Sequence, residues 1–88
     1  MVATESEDTM PKQIMNLAEM DQNKRGKVFR VNAGRRATQR LSGLGITPGT
    51  IIEKISQAPF RGPIQVKVRG SRLALGRGLA LKIMVEVQ

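Results

Sequence analysis

The residues of this chain best equipped for chemistry are cations. The stretch R-R-A-T-Q-R-L-S-G-L-G-I-T-P-G-T, from Arg35 to Thr50, sets Arg35, Arg36 and Arg40 on a helical spacing, then adds two glycines and a Pro48-Gly49 pair. A second group, Lys67, Arg69 and Arg72, flanks Gly70-Ser71, and Arg61 follows Phe60 in A-P-F-R-G-P. Guanidinium groups are permanently charged, forked donors that match carboxylates and phosphates. An anionic partner is therefore the chemistry they fit. A phosphate loop does not fit: G-L-G-I-T-P-G-T lacks the Lys-Ser/Thr pair, and its glycines follow a helical pattern where a phosphate loop precedes one. The spacing also misses the dinucleotide fingerprint.

Catalysis is poorly served. With no Cys and no His in the chain, Ser42, Ser56 and Ser71 have no base to activate them. Beyond Asn23 the only carboxylates are Glu53 and Glu86, too few for a paired-acid hydrolase or a carboxylate metal cluster. Transition metals favour imidazole and thiolate ligands, and neither is present. Glu19, Asp21, Glu53 and Glu86 read as solvated surface acids. A protein that is not an enzyme, with no cofactor, is expected.

The positions of these groups depend on a small fold. Eighty-eight residues make one domain with a modest core, and without cysteine that core must hold by packing alone. Residues 1–12 are polar and acidic without periodicity, a flexible leader; residues 13–88 form the domain. Charge divides along the same lines. Up to Asn23 there are five acids against Lys12, a net of −4; from Lys24 onward fourteen Lys and Arg face two Glu, a net of +12. Such a body attracts nucleic acid, a membrane surface or an acidic protein face. No stretch approaches the roughly 20 apolar residues of a membrane span, and the start does not resemble a signal peptide, so a cytoplasmic protein is expected.

Ile14–Met20 suits a short strand or a single helical turn. K-V-F-R-V-N, Lys27–Asn32, reads as a strand bounded by Gly26 and Gly34. Arg35–Leu44 reads as the one helix, with Ala37, Leu41 and Leu44 as its apolar stripe, Asn32 or Gly34 opening it and Gly45 ending it. Pro48-Gly49 suits a type II turn. Strands are then expected over Thr50–Ser56, Ile64–Arg69 and Arg72–Leu75, the last two joined at Gly70-Ser71. A closing strand alternates Leu81, Ile83, Val85 and Val87 inward. The result is a mainly β chain, a small closed barrel with one short α-helix. Of the two aromatics, Phe29 and Phe60, one is expected in the core. That shortage weakens a nucleic-acid reading, because barrel proteins of this kind stack bases on aromatic rings.

The ordered set L-G-I-T-P-G-T, A-P-F-R-G-P and V-R-G-S-R-L-A-L resembles the FeoA family, over about Ile14 to Val87. The resemblance implies an SH3-like small β-barrel with a helix inserted after its first barrel strand, related to the C-terminal domain of DtxR-type iron-dependent repressors. It also implies a noncatalytic interaction module in ferrous iron transport. The implied partner is the cytoplasmic GTP-binding domain of a FeoB-type transporter. Ferrous or another divalent metal accompanies the family, though this chain's ligand types do not support it. Two departures stand out: Lys54 occupies a place usually apolar in such strands, which sets a charge at the barrel rim, and Gly76-Arg77-Gly78 makes a looser turn than usual. Arg35, Arg36, Arg40, Phe60, Arg61, Arg69 and Arg72 are the expected partner-binding residues. The rival reading is a small basic nucleic-acid-binding barrel.

Overall fold

A computed structural model describes residues 13–88; the leader expected over 1–12 lies outside the described residues. The elements are β1 (Ile14–Asn16), β2 (Arg25–Val31), helix α1 (Arg35–Gly43), β3 (Ile51–Gln57), β4 (Ile64–Val68), β5 (Ser71–Leu75), helix α2 (Arg77–Ala80) and β6 (Ile83–Val87). The six strands make one antiparallel sheet in the order β1-β6-β2-β3-β4-β5. The hydrogen-bonded ladder thus begins at β1 and ends at β5, with no rung joining these outer strands among the described residues. The helix enters after the second strand in chain order, since Ile14–Asn16 precedes it as a short strand of its own.

Strand alternation builds the core. Ile64, Val66 and Val68 of β4 are buried while Gln65 and Lys67 face water, as the period of two demands. Ile52, Ile83 and Val85 join them, and Leu17 and Met20 close the assembly from the turn after β1. All of these are aliphatic or thioether side chains. Neither phenylalanine contributes: Phe29 is 48% exposed and Phe60 99%. The expectation of one aromatic in the core therefore fails. Phe29 alternates with the buried Val28 and so faces outward on the side of Lys27, and a register shift between Val28 and Arg30 in the β2–β6 pairing leaves it as the extra residue of a bulge.

Several boundaries move for identifiable reasons. The β4–β5 turn is Arg69-Gly70, one residue earlier than Gly70-Ser71, because Val68 pairs with Ser71. Both central residues have positive φ (51° and 82°), the geometry of a hairpin turn whose twist matches its strands. Leu81 lies outside the last strand and is exposed, since Arg77–Ala80 forms a short helix where Gly76-Arg77-Gly78 was expected to make a loose turn; the backbone N–H groups of Leu79 and Ala80 donate to the carbonyl of its N-cap, Gly76. Helix α1 keeps Leu41 fully buried and Ala37 half-buried, but Leu44 sits past the last helical residue and is 41% exposed.

Lys54 is the largest departure. It is a charge at a place usually apolar, and it is only 3% exposed. Its Nζ donates to the Ala18 carbonyl at 2.8 Å and to Gln57 Oε1 at 2.9 Å. Its backbone also ties the 21–24 turn to β3: Asn23 N–H donates to the Lys54 carbonyl (2.7 Å) and Lys54 N–H to the Lys24 carbonyl (3.0 Å). A buried ammonium needs such partners, because its desolvation is otherwise prohibitive. Burial lowers the Lys54 pKa from its ordinary 10.5; Asp21 opposes this and Arg77 adds to it.

A pH signature follows. Between the lowered folded value and 10.5 the unfolded chain holds a proton that the folded chain has released, so stability rises with pH across that alkaline window. Below the folded value the ammonium is charged in both states and its burial cost is fully present. Chemical denaturation of the wild type and Lys54→Met from pH 7 to 10.5 should show the wild type gaining relative to the variant as pH rises. At pH 7 Lys54→Met should lie within about 1 kcal/mol of wild type, since apolar replacement removes the desolvation cost. Lys54→Ala should lose about 2 kcal/mol or more by leaving a cavity. A flat difference across the alkaline range would refute the assignment.

Candidate partner-binding surface

Helix α1 is held where its arginines reach solvent by the way it ends. Leu44 is its C-cap, and Gly45 follows with φ +89°. The Ile46 N–H donates to the Leu41 carbonyl at 2.8 Å and the Gly45 N–H to the Ser42 carbonyl at 2.9 Å, a Schellman closure. Ile46 then folds into the core beside Leu41. Gly49, with φ +96°, completes the expected turn, in which Thr50 N–H donates to the Thr47 carbonyl at 3.0 Å. Strand β3 starts from there.

Gly45 also joins the two groups of cations. A β-carbon built on it would stand 3.3 Å from Cδ and 3.4 Å from Nε of Arg69. The Arg69 side chain therefore lies across the end of α1, and the hairpin tip and the helix terminus form one surface. Lys67 and Arg72 sit directly opposite each other in the β4–β5 register, both exposed. The same transverse row continues through Glu53 to Arg25, whose Nε is 3.9 Å from Glu53 Oε1. Glu53 stands on the far side of Lys67, so Arg72 faces a like charge. Such a pairing is mildly destabilising in isolation.

The helix arginines are placed against the helix's own interest. Arg35 and Arg36 occupy its first turn, where the dipole disfavours cations, and no acid accompanies them. Arg36 and Arg40 are i and i+4 neighbours of like sign, costing a few tenths of a kcal/mol. Among the described residues none of Arg35, Arg36, Arg40, Arg61, Arg69 or Arg72 forms an ion pair.

Beside α1 runs a groove of about 380 Å³, lined by Arg40, Leu44, Ala74, Leu75, Gly76 and Leu79. Leu44 and Leu79 form apolar walls, and Arg40 sits among them as the one charge. The groove borders β5, the strand that ends the sheet. Sequence reasoning missed Leu44, which its helical spacing assigned to the core, and Leu79, which follows the Gly76-Arg77-Gly78 turn and was given no role. The Leu75–Leu79 spacing of four was the available signal for a helical turn there.

Phe60 and Arg61 are not part of this surface. Their loop, 58–63, precedes β4, and the Arg69-Gly70 turn follows it. A five-residue strand separates the two by roughly 13 Å or more at 3.3 Å per residue. The expected contact residues thus divide between two ends of the sheet.

The donor set does not fit a transition-metal site. The chain has no His or Cys, and among the described residues no three Asp or Glu cluster. Among the described residues no helix is long and apolar enough to cross a membrane.

The FeoA domain family model matches residues 15–87. A protein of Methanocaldococcus jannaschii named for Fe(2+) transport, as transport protein A, is 44% identical over 59 residues, 67% of this chain and 70% of that protein. A crystal structure of an FeoA described as an iron uptake regulatory protein is 36% identical, with a TM-score of 0.77 covering 86% of this chain and 99% of the other. FeoA of Stenotrophomonas maltophilia, crystallised with zinc and described as a procaryotic SH3 domain protein, is 26% identical with a TM-score of 0.72, covering 82% and 89%.

The junction at Gly45 is directly testable. Gly45→Ala should cost about 1–2 kcal/mol, from the positive φ, and should displace Arg69. Gly43→Ala, helical and with nothing within 4 Å of the new carbon, should be neutral or stabilising by up to about 1 kcal/mol. Denaturant titration and backbone amide shifts at Arg69 and Gly70 check both; equal effects of the two changes would disprove the contact.

Proposed function

The chain belongs to the FeoA family, a family of ferrous iron transport with an SH3-like fold, and on that premise we propose that it is a noncatalytic module that docks on the cytoplasmic GTP-binding domain of a FeoB-type transporter and modulates iron uptake. The observation that carries this reading is the joined surface of α1 and the β4–β5 hairpin: arginines without acidic partners arranged around an apolar groove. An apolar anchor flanked by steering charge is the usual composition of a selective protein interface. In this reading Arg35, Arg36, Arg69 and Arg72 guide an acidic face of the transporter domain, and Arg40 pairs with a carboxylate whose neighbouring apolar side chain lies between Leu44 and Leu79. Iron is the transporter's cargo, and this chain needs no ligand for it. The zinc-bound relative was proposed as an activating factor of bacterial ferrous iron transport, which supports a modulating role.

Titration of labelled protein with the transporter's cytoplasmic domain should shift resonances of residues 35–46 and 69–76. Arg40→Glu and Leu44→Asp should each weaken binding by about tenfold or more, while Lys82→Glu, an equal charge change elsewhere, should alter it by less than about threefold. No binding, or equal losses for all three, would reject the surface.

One observation favours a second reading, a basic nucleic-acid-binding barrel. Phe29 stands on the outer face beside Lys27, with the Arg30 guanidinium carbon 5.6 Å from its ring centroid. A ring flanked by cations is a stacking platform for an unpaired base. This reading requires single-stranded nucleic acid to bind with an affinity that falls steeply with salt and is reduced by Phe29→Ala. Absence of binding at low salt removes it.

A further inference from the structure

The 58–63 loop is left unused by the surface above, and its construction is unusual. Phe60 is 99% exposed at its tip, without an apolar neighbour to cover it. Phe60 and Arg61 both have φ of 60°, a left-handed conformation rarely adopted by bulky residues. Consecutive non-glycine residues in that region mark a backbone kept in an unfavourable shape by its surroundings, and such outliers point toward function. The surroundings here are explicit. Ala58 N–H donates to the Pro63 carbonyl at 3.0 Å, and Gly62 N–H to the Pro59 carbonyl at 3.1 Å. A β-carbon on Gly62 would fall 2.7 Å from that of Ala58, so the two arms of the loop are in close contact. Pro59 and Pro63 fix two further φ angles.

The same bonds make the arms of the loop cheap to dehydrate. Two of the six residues are prolines and have no N–H; two more donate within the loop. Only the N–H groups of Phe60 and Arg61 lack a backbone acceptor among the described residues. A backbone entering a lipid interface is penalised for each unsatisfied donor, and this one has few. The loop contains no acid, and its single charge is Arg61, next to the ring. A long cationic side chain beside an inserted aromatic can stay at the headgroup level.

We propose that the 58–63 loop is an interfacial anchor that inserts Phe60 into an anionic phospholipid surface, with Arg61 on the lipid phosphates. A lipid surface is favoured over a protein pocket because the fully exposed ring shares its loop with the exposed Pro59 and Pro63 and a single cation, Arg61, a composition that suits acyl chains beneath phosphates. The body's net charge of +12 from Lys24 onward supplies the long-range attraction to an anionic leaflet. Insertion by this end leaves the Arg69-Gly70 tip, at the other end of β4, free for a protein partner.

The chain has no Trp and no Tyr, so a single substitution supplies a clean probe. The full chain carrying Phe60→Trp is mixed with vesicles of phosphatidylcholine alone or with about a third phosphatidylglycerol, with no transporter present. With the anionic vesicles at low salt the emission should shift to the blue and be quenched by brominated acyl chains; Phe29→Trp should show neither. In flotation assays Phe60→Ala should bind anionic vesicles about tenfold more weakly, the loss expected for one aromatic side chain, and Phe60→Leu should retain most binding. Raising salt should weaken the wild type. The proposal is overturned if Phe60→Trp shows no shift with anionic vesicles, if Phe29→Trp shifts equally, or if Phe60→Ala binds vesicles unchanged. Loss of transporter-domain binding in Phe60→Ala without any effect on vesicles would make the loop a protein contact and would also overturn it.

Discussion

Register is the constraint on which this small structure depends, because its core contains no aromatic ring. Leu, Ile, Val and Met side chains fill the interior from alternate positions of short strands, and Phe29 and Phe60 both lie outside. A ring buries a large area from a single position; aliphatic side chains supply it only in numbers, and only if every strand keeps its phase. A slip of one residue in β4 would exchange Ile64, Val66 and Val68 for Gln65, Lys67 and Arg69. The Arg69-Gly70 turn, the Schellman closure at Gly45 and the Lys54 ammonium each pin a register that apolar packing alone leaves less strongly determined.

Lys54 shows the cost of such pinning. An apolar residue in its place would bury area without a charge to desolvate, yet the ammonium ties β3 to the turn after β1 through the Ala18 carbonyl and to its own strand end through Gln57. Buried polar groups of this sort are weak sources of net stability, and their better-attested role is to select one arrangement over its neighbours. In a chain without disulfides, tying the 17–24 segment to β3 is a plain structural use for a buried charge.

Much of this was legible in the sequence, and the boundary of legibility has physical causes. The alternation in I-Q-V-K-V, the glycine stop at Gly45 and the Pro48-Gly49 turn are local signals read by local rules, and each stands in the structure. The hairpin turn was misplaced by one residue because a left-handed arginine is unexpected where Gly70 alone suggested the bend. Phe29 is an apolar ring in a strand, yet it is out of phase with the buried Gly26 and Val28, so the alternation of β2 places it on the outer face. Lys54 and Leu44 were misassigned for a shared reason: whether a side chain is buried depends on what packs over it, and for Lys54 that includes Ala18, 36 residues away. The candidate surface was half legible. Its arginines were visible as residue types, but the separation of Phe60 and Arg61 from the helix emerges only from the order of the strands.

The placement of the cations bears on which of them belong to function. A protein tuned for stability alone would put acids in the first turn of α1 and oppose Arg72 with a carboxylate; this chain does neither. Arg35, Arg36, Arg40 and Arg72 each act mildly against the folded state, and Phe60 and Arg61 hold a backbone conformation that glycine would adopt without strain. Arg25, by contrast, is answered by Glu53, and Lys54 by the Ala18 carbonyl and Gln57. Features that cost stability and have no internal partner find their use outside the molecule. By that criterion the surface around α1 and the loop that carries Phe60 separate from the rest of a strongly basic chain, and they do so at two ends of one strand.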